Sequence, residues 1–574
     1  MSMRARRMSV LMVVCLSVAL PALAPTHAHA QLQSLPGRTP QLVFSTYLGG
    51  STPCDSCSGA DTFAQSTATD AAGNIYVTGA TEVSDLPVPN ARQPEPAKNS
   101  TMSAFVAKYS PAGKLLWCTY LGGDGQSMGV ALATVPAGGV VVAGLTTSDA
   151  FGPFPVLNGF QKQNNGQSDY FVTELGGHGN LRYSTYLGGS GPEGGSLFVD
   201  NANNGNKVAV DARGLVYLTG ETPSVGHASV KFPVTPNALQ PELEGSSDAF
   251  LSIIDPARLG ADSLVYSSFL GGSDADKGHS VAVDALGRHV TVAGYTKSRD
   301  FPTTVNAYRS DPAPQGFVSN GFVTQFEATQ PGGPFIPSAR YKMRYSTYLG
   351  ADTSDARDDI YGVTLDRGGL ILATGRTESA EFPMTTTRAP AIFNSAPYLK
   401  ANKSGDEPYL VKINPALNGK ASLVYSTFLG GGSPDGKWTT FFTGVGAGSR
   451  GTVYVAGETR APGVEYVPSG HPAEAPVDFP YTRRAMFTAL QGGYDAAFMQ
   501  ISPGGATLGY STYFGGTADD RTYGLAVSPA GNLVLSGVTF SDDLPLKDPA
   551  QTWPGNTGSQ NAFVAIFSAT GSIA

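Results

Sequence analysis

The sequence is poor in charged residues, in cysteine and in long apolar runs, and each shortage excludes a class of protein. Charged residues make up only 14% of the 574 positions, whereas glycine occurs 71 times. That balance is typical of short strands and tight turns, and it disfavours long helices and disordered chains. After residue 30 no apolar run is long enough to cross a bilayer, so we expect no transmembrane segment in the mature chain.

Basic residues are also scarce, with 37 Lys and Arg against 45 Asp and Glu, a formal net charge of −8. Removing the first thirty residues takes away three arginines and no acid, which leaves −11. A mildly acidic chain is a poor partner for nucleic acid or for anionic lipid, because both repel it. We therefore expect no nucleic-acid partner.

The first thirty residues have the pattern of a signal peptide. Three arginines precede the apolar stretch "MSVLMVVCLSVALPALA", and "AHA" stands before Gln31 as a small-residue cleavage site. An N-terminal membrane anchor is the alternative, but Pro21, Pro25 and the short apolar run disfavour it. We predict a secreted or cell-surface protein, with the periplasm as the alternative compartment.

One nine-residue segment occurs seven times. The copies are "LVFSTYLGG" (42–50), "LLWCTYLGG" (115–123), "LRYSTYLGG" (181–189), "LVYSSFLGG" (264–272), "MRYSTYLGA" (343–351), "LVYSTFLGG" (423–431) and "LGYSTYFGG" (508–516). Each copy is followed by a polar loop, a short apolar strand, a tight turn and a second strand that ends in glycine. A longer segment with an apolar residue before proline comes next, and then a third strand such as "AFVAKY".

Four antiparallel strands repeated seven times predict either a linear solenoid or a closed β-propeller. A solenoid needs atypical end repeats, and none is seen. The chain opens with a fourth-type strand (42–48) and ends with a third-type strand (561–567), so its two ends complete one sheet. We predict an all-β, seven-bladed propeller over 42–574, closed by pairing of these strands, after a signal peptide (1–30) and a short segment (31–41).

This unit closely resembles the bacterial seven-bladed β-propeller repeat family, the SBBP repeats. The resemblance extends from about Leu42 to Phe567, and the second and sixth units depart most, with "VALATVPAGG" and "FFTGVGAGSRG". Members look like exported or surface proteins, mostly without an assigned activity. The resemblance therefore implies a fold and a compartment but no chemistry.

Several loops after the "LGG" segment are acidic, and in a propeller they would surround one mouth of the channel. Hard cations prefer such oxygen ligands, which makes Ca²⁺ a candidate, although Gly278 breaks the EF-hand spacing. Solvated loops and strand capping are the alternatives. The candidate metal ligands are Asp274, Asp276, Asp355, Asp359, Asp519 and Asp520.

The cysteines and histidines suggest no reaction. In an exported chain, Cys54 and Cys57 of "PCDSC" predict a small loop disulfide, with a redox-active pair as the sharper alternative. Cys118 takes a serine position and is expected to be a buried thiol. No Ser/His/Asp group, zinc signature or phosphate loop can be assembled, so we predict no catalytic or cofactor-binding residues.

Two functions remain. The first is a monomeric binding or surface-interaction scaffold for a protein or carbohydrate, engaged on the long-loop face. Its support is the long, proline-rich connections at 376–408 and 458–495. The second is a propeller hydrolase or lyase acting on carbohydrate or peptide at the channel mouth, which would need a convergent acid/base pair.

Overall fold

A computed structural model shows seven antiparallel sheets of four strands each, arranged as the blades of a propeller. It describes residues 40–149, 154–194, 207–224, 230–312, 318–329, 341–351, 356–379, 381–385, 392–393, 406–432, 439–448, 450–466 and 478–568. Two short 3-10 helices, Gly260–Ser263 and Gly419–Ser422, precede the fourth strands of blades 3 and 5. No helix within these ranges is long and apolar enough to span a membrane.

The strands follow one another in the predicted order. The chain starts with β1 (Leu42–Leu48), and blades 1 to 3 then contain β2 (Thr62–Thr69), β3 (Ile75–Thr81), β4 (Ser103–Tyr109), β5 (Leu115–Leu121), β6 (Ser127–Thr134), β7 (Gly139–Thr146), β8 (Asp169–Gly176), β9 (Leu181–Leu187), β10 (Val208–Val210), β11 (Val216–Thr222), β12 (Asp248–Ile254) and β13 (Leu264–Leu270). Blades 4 and 5 contain β14 (Asp276–Val283), β15 (His289–Thr296), β16 (Asn320–Ala328), β17 (Tyr341–Leu349), β18 (Asp358–Leu365), β19 (Ile371–Thr377), β20 (Glu407–Ile413) and β21 (Leu423–Phe428).

Blades 6 and 7 contain the remaining strands. These are β22 (Thr440–Ala447), β23 (Val453–Thr459), β24 (Gly463–Glu465), β25 (Phe479–Tyr481), β26 (Asp495–Ile501), β27 (Leu508–Phe514), β28 (Asp520–Val527), β29 (Leu533–Thr539) and β30 (Asn561–Phe567). The pair β24–β25 forms a separate small parallel sheet within the connection of blade 6. Each blade thus runs from an inner first strand to an outer fourth strand.

The predicted closure is confirmed. Blade 7 has the order β1-β30-β29-β28, so the first strand of the chain is the outer strand of the last blade. The register runs from Leu42 opposite Phe567 to Leu48 opposite Ala562. Closing the ring in this way leaves no blade short of a strand, which removes an edge that would otherwise invite aggregation.

The repeated nine-residue segment holds the second-to-third-strand connection against the outer edge of each blade. In blade 1 the backbone N–H of Gln93 donates to Thr119 Oγ1 at 2.8 Å. The hydroxyl of Tyr120 donates to the carbonyl of Val83 and accepts the N–H of Leu86, both at 3.0 Å. Leu86 is the apolar member of the apolar-Pro pair, so the two recurring motifs meet in one hydrogen-bonded corner.

The same arrangement recurs in several blades, whereas blades 3 and 5 have Phe269 and Phe428 at the tyrosine position. Tyr47, Tyr186 and Tyr348 hold the corners of blades 7, 2 and 4 in the same way. Backbone hydrogen bonds also join the connection to the fourth strand, for example from Tyr186 N to the carbonyl of Gln161 at 3.1 Å. Every outer edge therefore has a partner, and the repetition of the sequence has a structural cause.

The glycine near the end of the second strand has a different task from the one predicted. The second strand continues for two residues beyond Gly79, through Ala80 to Thr81. A Cβ on Gly79 would overlap the carbonyl oxygen of Phe63 in the first strand. The first strand bulges at this point, with its register shifting between Ala64 and Ser66. The glycine accommodates that bulge by letting the two backbones approach closely.

Candidate functional site

The inner strands enclose a cavity of about 410 Å³. Its wall comes from the second halves of the seven first strands, and its side chains are mainly aliphatic or bear hydroxyl groups. Blade-to-blade loops and second-to-third-strand connections leave one end of the blades, here called the long-connection face. The other two kinds of turn leave the opposite end, the short-turn face. Because the first strands begin at the long-connection face, the cavity lies toward the short-turn face.

The bulge in the first strand places one extra residue opposite the second strand, and four of these residues, Gln65, Val130, Thr443 and Tyr523, line the cavity. In the blades where the register shift is described, these residues are Gln65, Val130, His279, Tyr361, Thr443 and Tyr523. Gln65 lines the cavity, and neither of its amide atoms has a hydrogen-bond partner among the described residues. Bulges often re-aim a side chain next to a functional site, so this ring is the first candidate region.

His279 is the titratable base of this ring. Its Nδ1 lies 2.9 Å from the carbonyl of Ile360 in the next blade, which requires the proton on Nδ1. The imidazole contacts the rings of Tyr295 and Tyr361. Burial, and then the positive charges of nearby lysines, lower the pKa of His279 well below 6.5. The side chain is therefore a neutral hydrogen-bond donor that joins two blades.

A belt of ion pairs lies at the starts of the inner strands, on the long-connection side of the bulges. Lys277 Nζ lies 3.0 Å from Glu221 Oε1 across the junction of blades 3 and 4. The other members of this charged belt pair as Arg376 with Asp359 (3.4 Å) and Asp406 (3.2 Å), and as Arg521 with Glu458 (3.7 Å) and Asp519 (3.2 Å). Several positions are local repeats, since Glu221, Arg376 and Glu458 each follow the glycine of a second strand.

Glu458 is the belt carboxylate with the most altered proton affinity. Its side chain is only 6% exposed, and burial raises its pKa to about 7 although Arg521 opposes the shift. Arg521 in turn lies over the ring of Tyr494, with 4.3 Å from its Cζ to the ring centre. A carboxyl group that titrates near neutrality beside a guanidinium is a chemically competent acid or base.

The six predicted metal ligands are spread over several parts of the ring. Asp274 lies in an exposed loop, where its carboxylate accepts the N–H of Ala275. Asp276 and Asp520 are the buried first residues of β14 and β28, and each accepts a glycine N–H and a serine hydroxyl. Asp359 and Asp519 belong to the charged belt.

Asp355 falls outside the described residues. Within the described ranges no group of three or more His, Cys, Asp and Glu side chains is arranged to hold a metal ion. The assignment of calcium to these loops stays a prediction.

The structure forms the predicted disulfide between Cys54 and Cys57, with 5.0 Å between their Cα atoms. The sulfur of Cys54 lies 3.0 Å from the carbonyl oxygen of Ser100, and that of Cys57 lies 3.1 Å from the carbonyl oxygen of Thr101. Cys118 is a buried free thiol, as expected. The carbonyl oxygens would disfavour a thiolate at either sulfur, which fits a structural bond better than a redox pair.

Comparison with known families identifies the repeat. The family model described as "SBBP: Beta-propeller repeat" matches residues 43–87. The match begins in β1 and ends at the apolar-Pro pair of blade 1, and it confirms the resemblance noted in the sequence. No curated protein matches the chain.

Solved structures resemble it only distantly. Puromycin hydrolase is 12% identical with a TM-score of 0.38, and the match covers 86% of this chain but 53% of that one. The WD40 repeats of RRP9 are 7% identical with a TM-score of 0.29, covering 76% and 93%. The quinohemoprotein alcohol dehydrogenase ADHIIG from Pseudomonas putida HK5 is 9% identical with a TM-score of 0.34, covering 93% and 77%. The aligned part thus spans about half of the puromycin hydrolase chain.

Proposed function

We propose that this protein is an exported β-propeller scaffold that binds a protein or carbohydrate through its second-to-third-strand connections. The supporting observation is where the exposed apolar side chains lie. Of the twelve large apolar residues that are exposed in the described ranges, eight are on these connections: Leu157, Val230, Leu239, Val305, Val318, Val464, Met486 and Trp553. These connections therefore carry most of the apolar side chains that a partner could cover.

Trp553 and Val305 are the sharpest examples. Trp553 is 53% exposed, and Val305 is fully exposed at the tip of a turn. Folding gains nothing from these side chains in water, whereas a partner would gain apolar contact area from them. The recurring polar residues of the blades, by contrast, already form hydrogen bonds within the propeller. The connections are thus the part of each repeat that is left for recognition.

Export is part of the proposal, and it rests on the first thirty residues. The disulfide between Cys54 and Cys57 supports it, because such bonds persist in oxidising compartments. Mass spectrometry of the protein recovered from its native cells tests it. A mature chain that begins near Gln31 is expected, and a folded protein that retains Met1 would contradict export.

The binding proposal is tested on arrays of polysaccharides and peptides with two matched variants. Val305→Asp and Trp553→Asp place a charge on the connections, and we expect each to weaken binding at least tenfold. Leu286→Asp places the same charge on the short-turn face, at a residue that is 51% exposed, and should leave binding unchanged. Loss of binding in Leu286→Asp alone would show that the partner uses the opposite face.

The alternative function, a hydrolase or lyase, is supported by the environment of Glu458, which is buried beside Arg521 and has its pKa raised to about 7. A hydrolase or lyase at the channel mouth would use this carboxyl group as its acid or base. Turnover of arrayed glycans or peptides that is lost in Glu458→Gln, with the fold retained, would establish the enzyme. Binding without turnover would leave the scaffold.

A further inference from the structure

At the blade junctions the first glycine of the repeated nine-residue segment lies between two polar side chains. One is the first residue of a third strand, and the other is the first residue of the next blade's first strand or, for Glu193, lies in a turn of the blade-to-blade connection. The chain varies this pair: Ser103 and Ser127 flank Gly122, Asn320 and Asp358 flank Gly350, and two acids flank Gly188, Gly271 and Gly515. The acid pairs are Asp169 with Glu193, Asp248 with Asp276, and Asp495 with Asp520.

Asp169 and Glu193 face each other across Gly188. Both are fully buried, and Asp169 Oδ1 and Glu193 Oε2 are their oxygens nearest to the space beside Gly188. Asp169 Oδ2 accepts the side-chain amide of Gln161 at 2.6 Å and the N–H of Asn165 at 3.0 Å. Asp169 Oδ2 therefore faces two ordinary donors.

Glu193 Oε1 accepts three hydrogen bonds. They come from the N–H of Gly189 and the hydroxyl of Thr222, both at 3.1 Å, and from the hydroxyl of Ser224. The remaining oxygens, Asp169 Oδ1 and Glu193 Oε2, are buried and have no hydrogen-bond donor among the described residues. Two buried negative charges that face each other without a donor between them are strongly unfavourable.

From this geometry we propose that Asp169 and Glu193 share one proton and form a pH-sensitive clasp between blades 2 and 3. The proton supplies the missing donor between Oδ1 and Oε2, and the other oxygens keep the single remaining charge solvated by the five donors named above. Two buried carboxyl groups that face each other resist ionising together, which is the behaviour of paired carboxyls in general. When the proton leaves, the two acids repel and the junction loosens.

The proton affinities agree with this arrangement. Burial, together with the charge of Glu193, raises the pKa of Asp169 to about 8, although hydrogen bonds to Asn165 and Gln161 oppose the rise. Burial also raises the pKa of Glu193. The shared proton would therefore be held at neutral pH and released in mildly alkaline conditions.

The groups around the pair do not replace the proton. The charge of Glu193 acts on Tyr170, which also feels Glu221 and Lys277, and the charge of Asp169 acts on Tyr186, which also feels Asp149. Lys277 is the cation among them, and it binds Glu221. A divalent metal would need further oxygen ligands, and in the described ranges no third carboxylate joins the two.

The sign of the pH dependence follows from linkage. The folded pair binds a proton at pH values where the unfolded carboxyls have lost theirs, so the free energy of unfolding falls as pH rises from about 4 to about 8. Asp169→Asn removes this dependence, because the amide donates permanently to Glu193. Asn320→Asp creates it, because it places a second acid beside Asp358, whose Oδ1 is also buried without a donor.

The experiment measures melting temperature from pH 5 to pH 9 in EDTA for the full chain and both variants. We expect the fall in melting temperature to be smaller in Asp169→Asn than in the wild type and larger in Asn320→Asp. Unfolding at pH 7 should release about one proton more in the wild type than in Asp169→Asn. The infrared C=O band of a protonated carboxyl group at pH 7 should weaken in that variant.

An unchanged pH dependence in Asp169→Asn overturns the proposal. If that variant does not fold, Asn320→Asp decides alone: a steeper fall supports the shared proton, and an unchanged fall overturns it. Calcium titration separates the proton from a metal. Stabilisation by calcium at pH 8 in the wild type, absent from Asp169→Asn, would assign a cation to the pair and overturn the proton. These results do not depend on whether the scaffold proposal holds.

Discussion

Tyr47, the sixth residue of β1, is paired with Phe563 in the sheet that closes the ring. The hydroxyl of Tyr47 donates to the carbonyl of Ser541 at 2.9 Å and accepts the N–H of Leu544 at 3.0 Å. One side chain from the start of the chain thus fixes both the last blade and its connection. Closure is therefore a matter of specific contacts as well as of strand count.

Removing the first strand should open the ring. A chain that begins at Gly49 lacks β1 and leaves β30 with a bare edge, and we expect a lower melting temperature, loss of a single cooperative transition and faster amide exchange in β30. A chain that begins at Pro40 retains the strand and is the control. Equal melting curves for the two chains would contradict closure by β1.

The glycine opposite the first-strand bulge should resist even the smallest substitution. Gly79→Ala places a Cβ against the carbonyl oxygen of Phe63, so two backbones must separate, and we expect a loss of about 3 kcal/mol in unfolding free energy. Gly504→Ala is the control, because no atom lies within 4 Å of its Cβ position. Its effect should stay within about 0.5 kcal/mol. Denaturant unfolding of both variants gives the comparison.

The fold could be predicted because the same four-strand pattern is repeated seven times in the sequence. A single copy of "YSTYLGG" reads as a strand, but seven copies with complementary ends, 42–48 and 561–567, specify a closed ring. The bulge in the first strand could not be predicted. Its only trace in the sequence is a glycine in the second strand, and a glycine is equally expected where a strand ends. Gly79 was expected to end the second strand, and it is the close approach to Phe63 that explains it.

The candidate site was less predictable, for a physical reason. Asp276 and Asp359 look alike in the sequence, but they have different partners in the structure. Asp276 accepts the N–H of Gly272 at a blade junction, whereas Asp359 forms an ion pair with Arg376. Which of these an acid does depends on residues from other strands and blades. One feature of the charged belt is visible in the sequence: Glu221 and Glu458 both occupy the position that follows the second-strand glycine.

All three cysteines of the mature chain should be protected from alkylation in the folded protein, for two different reasons. Cys54 and Cys57 are disulfide-bonded, and burial raises the pKa of the Cys118 thiol to about 12, so none of the three should react with iodoacetamide at pH 8 without denaturant. After reduction and unfolding all three should react. Replacing both Cys54 and Cys57 by serine removes the cross-link that constrains the unfolded chain. The free energy of unfolding should therefore fall by about 2 kcal/mol. Rapid labelling of Cys54 in the folded protein would contradict a structural disulfide.

His279 should set a limit to stability in acid that is separate from the carboxyl pairs. Its pKa in the folded state lies well below 6.5, because it is buried and faces positive charge, so the unfolded chain binds a proton that the folded chain does not. The free energy of unfolding should then fall as pH drops below 6.5, by up to about 1.4 kcal/mol per pH unit.

The variant His279→Gln tests this prediction, because it keeps an N–H donor for the carbonyl of Ile360 but does not titrate. The difference in unfolding free energy between wild type and this variant should therefore shrink or change sign between pH 7 and pH 5, in favour of the variant. Denaturant unfolding at the two pH values measures it, and a difference that is the same at both would show that the imidazole already titrates normally in the folded protein.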